Sequence, residues 1–64
     1  MTASEYRAIR ESLGTQLFVA ELLDVARSTV ADRERGAMAI TTEAALAISY
    51  FKLSVQHSEI MVDR

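Results

Sequence analysis

Residues that break helices are scarce in this chain, and their positions divide it. It has 64 residues, no proline and two glycines, Gly14 and Gly36. Two such interruptions in so short a chain predict helices joined by tight turns. β-Branched residues never alternate with polar ones for long, so a sheet is not expected. Thr2-Ala3-Ser4-Glu5 has the spacing of a capping box that starts a helix. Tyr6, Ile9 and Leu13 then share one helical face, and Gly14 can stop the helix in a left-handed conformation.

Thr15 can cap a second helix over Thr15–Leu23, with Val19, Ala20 and Leu23 inward and Leu17 and Leu22 beside them. Asp24 and Val25 form a short turn. A third helix is expected over Arg27–Arg35, with Val30 inward and Gly36 as its end. Ala37 to Thr41 reads as a loop. Thr41 or Thr42 caps a fourth helix, in which Ala44, Ala47, Ile48 and Phe51 make an apolar stripe. Beyond Leu53 the pattern weakens: Ser54 could cap a short fifth helix, or the remainder could be an irregular tail. The expectation is an all-α fold of four to five short helices in one domain, with its core in 2–53 and a tail or short helix in 54–64.

Composition narrows the class. Half of the residues are apolar, which suits a packed core and argues against disorder. A domain this short buries only roughly 60% of the surface its unfolded chain exposes, so association would help it. There is no cysteine, which rules out disulfides and thiolate metal sites and fits a reducing cytoplasm. No apolar run approaches the roughly 18 residues of a membrane span. The formal charge of −2 runs against DNA binding, which draws much of its affinity from cations that meet phosphates.

Two short helices separated by a tight turn describe a helix-turn-helix. Ala20 is small enough to let the third helix cross the second closely, and Val25 plugs the turn. With Val30 inward, Arg27, Ser28, Ala31 and Asp32 project outward, in the first turns of a helix whose N-terminal end could enter a major groove. The ordered set Thr15-Gln16, Val19-Ala20, Leu23, Val25, Arg27-Ser28-Thr29-Val30 and Glu34-Arg35-Gly36, preceded by Arg10, Leu13 and Gly14, resembles the Cro/C1-type (phage-repressor-like) family. The resemblance covers roughly Tyr6 to Phe51.

It implies a lambda-repressor-like domain whose second and third helices form the helix-turn-helix. It also implies a sequence-specific DNA-binding regulator, a Cro-like repressor that acts as a dimer on double-stranded operator DNA. By the same resemblance, Gln16 meets a phosphate and braces the third helix. Arg27 and Ser28 read base edges, Asp32 follows one turn later, and Thr29 contacts phosphate or base. Arg10 and Glu34 form an internal ion pair. Ala31, Arg33 and Arg35 complete the candidate DNA surface. Three residues depart from the family pattern: Gly14 abuts Thr15 with no apolar residue between them, Asp24 stands where the turn usually has glycine, and Ala26 replaces a Ser or Thr cap.

The chemistry of these side chains stands apart from the resemblance. An arginine can give two donors to guanine O6 and N7, and a serine hydroxyl serves either base type. An aspartate can accept from cytosine N4 but repels phosphates. Arg33 and Arg35 could equally form ion pairs within their helix, since Asp32 and Arg35 are three apart.

Leu53, Val55, Ile60 and Met61 suit either a lid over the core or a homodimer contact. His57, the lone histidine, reads as an exposed or interface residue. Tyr6, Phe18, Tyr50 and Phe51 read as core or rim. No spacing pairs a nucleophile with a base, and no glycine-rich phosphate loop exists. Neither catalysis, cofactor, metal, small-molecule ligand nor membrane is therefore expected. The location would be cytoplasmic, and nucleoid-associated when DNA is bound. The competing reading is a protein-interaction module, antitoxin-like or anti-repressor-like, on the same scaffold; the acidic balance, Asp32 and the uncharged loop favour it.

Overall fold

A computed structural model describes the backbone of residues 1–62 and the side chains of residues 1–55. The described residues form four helices and no strand: α1 (Ala3–Leu13), α2 (Gln16–Leu23), α3 (Arg27–Glu34) and α4 (Thr42–Val62).

The capping box opens α1 as expected. The Glu5 N–H donates to Thr2 Oγ1 at 3.1 Å, and the Thr2 N–H donates to Glu5 Oε1 at 2.7 Å. These bonds to Thr2 hold the Glu5 carboxyl below its ordinary value. Gly14 ends α1 by a different geometry from the left-handed one expected. Its φ of 153° and ψ of −153° lie in the extended mirror region open essentially to glycine alone. A β-carbon there would also stand 3.0 Å from the Phe18 ring. The absence of a residue between Gly14 and Thr15 accounts for the change. The chain must turn at once into α2, where Thr15 Oγ1 caps the helix by accepting from the Phe18 N–H at 3.1 Å.

α2 and α3 each end in a paired closure. After α2, the Val25 N–H reaches Ala20 O at 3.0 Å and the Asp24 N–H reaches Glu21 O at 3.3 Å. Asp24 takes the left-handed conformation between them, φ 58° and ψ 46°. After α3, Ala37 donates to Asp32 O at 2.9 Å and Gly36 to Arg33 O at 3.4 Å, with Gly36 at φ 78°. Both are Schellman turns, which satisfy carbonyls that a helix end leaves open. The start of α3 is weaker. Ala26 offers no side-chain cap, so only its carbonyl serves, accepting from Thr29 and Val30.

Tyr6, Val19, Ala20, Val30 and Ile48 are fully buried and draw all four helices onto one core. Ile9, Leu13, Leu23, Val25 and Ile40 pack around them. Each large side chain in that centre contributes about 1.5–3 kcal/mol by leaving water. Ala20 is the small residue that the close approach of α3 to α2 requires.

Thr41 caps α4, its hydroxyl accepting from the Ala44 N–H at 3.1 Å. Ala44 and Ile48 are buried, and Ala47 and Phe51 are half-buried beside them. α4 then continues through Ser54 without a break, so the separate fifth helix and the irregular tail both give way to one 21-residue helix. Its opposite side carries Leu46, Tyr50 and Leu53, all exposed, while Val55, seven residues after Ile48, is exposed further along the core-facing side. Phe18 on α2 is also exposed rather than core, and so is Leu17. No described helix is long and apolar enough to cross a membrane.

Candidate nucleic-acid interface

The third helix is held from three directions. Val30 anchors its middle in the core. At its far end Glu34 meets Arg10 of α1 in a two-pronged pair, Nε to Oε2 at 2.6 Å and Nη2 to Oε1 at 2.9 Å. These side chains are only 13% and 6% exposed, so solvent screens the pair little. The Arg10 hydrogen bonds, and then that from Gln16, hold the Glu34 carboxyl below its ordinary range against the opposing effect of burial. Glu34 in turn raises the already high Arg10 value. Arg10 Nη1 also donates to Gly14 O at 3.2 Å, which ties the pair to the α1–α2 junction.

The third anchor is Arg33. Its Nη1 donates to the buried Tyr6 hydroxyl at 3.0 Å, and its guanidinium lies 5.7 Å from the centre of the Tyr6 ring. Nε is buried without a partner. The structure therefore sets Arg33 against α1 and away from the outward side of α3. Its position three residues after Val30 could have signalled this, because i and i+3 lie on neighbouring faces of a helix.

Gln16 joins this support to the candidate reading residues. Its Nε2 donates to Glu34 Oε1 at 3.2 Å, which orients the amide so that Oε1 points the other way. That oxygen accepts from Arg27 Nη1 at 3.2 Å. Arg27, at the exposed start of α3, is thus linked through Gln16 and Glu34 to Arg10. Freezing a long side chain costs entropy, and part of that cost for Arg27 is met before any ligand arrives.

Ser28 is exposed beside Arg27, while Thr29, Ala31 and Asp32 are half-buried along the same helix. Asp32 is engaged by Arg35, whose Nη2 and Nε lie 2.6 and 3.2 Å from Oδ1. Of the expected DNA residues, Gln16, Arg27, Ser28, Ala31, Asp32 and Arg35 thus cluster at the outer side of α3 and the start of α2. Sequence reasoning missed Arg7. It shares a recess of about 320 Å³ with Arg10, Gln16, Ala31, Glu34 and Arg35. Its place one turn before Arg10 was the available signal.

Leu53 and Val55, expected at a dimer contact, are exposed on α4. The side chains of Ile60 and Met61, like that of His57, lie outside the described residues.

A family model described as helix-turn-helix, of the Cro/C1 type, matches residues 7–49, about two thirds of the chain. The chain belongs to the Cro/C1-type helix-turn-helix family. The matched span begins in α1, includes α2 and α3 whole, and ends within α4, so it contains the frame that holds α3. This is a family of DNA-binding regulatory domains. No curated protein and no solved structure gives a match.

Proposed function

We propose that this helix-turn-helix protein is a sequence-specific regulator of transcription, a Cro-like repressor that binds double-stranded operator DNA as a homodimer. The observation that carries this reading is the hydrogen-bonded line from Arg27 through Gln16 and Glu34 to Arg10. It holds a guanidinium at the exposed N-terminal end of α3, the end that such domains insert into the major groove. Arg27 is the base reader, suited to guanine O6 and N7; Ser28 adds a hydroxyl. Asp32, paired with Arg35 in the unbound protein, selects against sequences that give it no donor. Gln16 and Thr29 contribute backbone contacts. The exposed Leu46, Tyr50, Leu53 and Val55 supply the homodimer surface, since the two-fold symmetry of operators mirrors that of the protein.

The test is titration of the protein onto duplex DNA from its own upstream region and onto mixed-sequence DNA of equal length. Arg27→Ala should lower specific affinity by about 1–3 kcal/mol with the helices intact. Unchanged specific affinity would remove Arg27 from the reading surface.

The second reading, a protein-interaction module, is favoured by Leu17 and Phe18, two large apolar side chains exposed on α2. A folded protein that binds neither DNA would favour that reading over the first.

A further inference from the structure

The recess beside α3 is built for an anion. Its walls are Arg7 and Arg10 of α1, Gln16 of α2, Ala31 and Glu34 of α3, and Arg35 at the C-cap of α3. Three of these six side chains are guanidinium groups. The single carboxylate, Glu34, is already matched by both prongs of Arg10. The charge left over belongs to Arg7 of α1 and Arg35 at the end of α3, which line the recess with the small Ala31 side chain. Both are largely exposed, 63% and 70%.

Among the described residues, Arg7 pairs with a carboxylate of its own helix and Arg35, the C-cap of α3, with a carboxylate of α3. Arg7 Nε lies 3.3 Å from Glu11 Oε2, and Arg35 Nη2 lies 2.6 Å from Asp32 Oδ1. Exposed pairs of this kind contribute little in water. A phosphate is a stronger competitor, because its oxygens match the guanidinium fork and bring a full negative charge. Arg7 already acts into the recess: after the bonds from Arg10 and Gln16, its charge also helps to hold down the Glu34 carboxyl.

We propose that this recess seats one phosphodiester of the DNA backbone between Arg7 and Arg35. Each arginine exchanges its helix-mate carboxylate for the phosphate as α3 docks. Glu11 is then an internal competitor of DNA, and its removal should tighten binding. The exchange leaves the net charge of −2 unchanged, so Glu11 and Asp32 stay beside the phosphate as a cost that the two guanidinium contacts must exceed. The inference rests on the DNA-binding reading above.

The test uses a mixed-sequence duplex of roughly 20 base pairs, because phosphate contacts do not depend on sequence, with affinity followed by fluorescence anisotropy between about 50 and 200 mM salt. The variants are Arg7→Ala, Arg7→Lys, Glu11→Gln and, as a charge control, Glu43→Gln at the exposed start of α4, with folding of each checked by circular dichroism. Arg7→Ala should reduce the log–log salt slope by about 0.9, the loss of one phosphate contact, and Arg7→Lys should retain it. Glu11→Gln should bind about two- to five-fold tighter at the lowest salt, beyond any gain from Glu43→Gln.

Salt-dependent binding by the wild type with an unchanged slope for Arg7→Ala would overturn the seat and leave the DNA reading standing. So would a Glu11→Gln gain no larger than the control's. Absence of all binding by the folded wild type would overturn both.

Discussion

Replacing Glu34 by glutamine removes one charge and keeps the shape of the side chain and one acceptor oxygen. In the native fold that carboxylate accepts two bonds from Arg10 and one from Gln16. The glutamine can keep at most one Arg10 bond in good geometry, and its NH2 would face a guanidinium. Loss of one partner from a buried pair costs about 3–5 kcal/mol. Arg10 remains slightly open to water, so about 2–3 kcal/mol is the expectation here. A domain of this size has roughly 3–10 kcal/mol in total. The midpoint of thermal unfolding should therefore fall by about 10–20 °C, at about 4–8 °C per kcal/mol.

The pH dependence sharpens the test. The folded carboxyl titrates below its ordinary value, so its ionisation stabilises the wild type fully above that value. The contribution is lost as pH falls through the lowered, folded one. Glutamine cannot titrate. The gap between wild type and variant should thus be largest at neutral pH and close in acid, read from thermal or urea unfolding by circular dichroism across that range. A gap that is the same at every pH, or smaller than about 0.5 kcal/mol at neutral pH, would refute the claim that this ion pair fastens α3 to α1.

Three further substitutions probe the frame by unfolding measurements. Ala26→Ser should add about 0.5–1 kcal/mol by supplying the side-chain cap that α3 lacks, with the serine hydroxyl accepting from an N–H of its first turn. Asp24→Gly should add up to about 1 kcal/mol, since Asp24 sits at φ 58° and glycine takes that conformation without a β-carbon penalty. Ile48→Ala should cost about 2–5 kcal/mol, because Ile48 is fully buried where α4 meets the other helices.

Much of this frame is legible in the residues because it depends on local chemistry. Thr2 with Glu5, Thr15, and Asp24 each act within a few positions of themselves, and their geometry appears where the sequence puts it. Val30 and the Arg10–Glu34 pair follow from helical spacing and the family resemblance. What escaped depends on how distant parts meet. Gly14 leaves the left-handed region because α2 begins at the next cap. Arg33 turns inward because Tyr6, 27 positions earlier, offers a buried hydroxyl and ring face. Phe18 could be core or rim by sequence, and the structure puts it at the surface beside Gly14. Ser54 looks like a start signal, but a helix already under way needs none, and α4 passes through it.

The way α3 is fastened bears on how such a protein could change its target. Its buried ties to the rest of the fold are Val30, Arg33 and Glu34, in its middle and at its far end, and the exposed Arg27–Gln16 hydrogen bond holds its start. Arg27, Ser28, Thr29, Ala31 and Asp32 contribute no fully buried side chain to the core. On the DNA-binding reading proposed above, these five positions are an exchangeable set on a fixed mount. Exchanging them as a set can redirect recognition to another sequence while the same three ties preserve the fold, so new specificity need not begin from a destabilised protein.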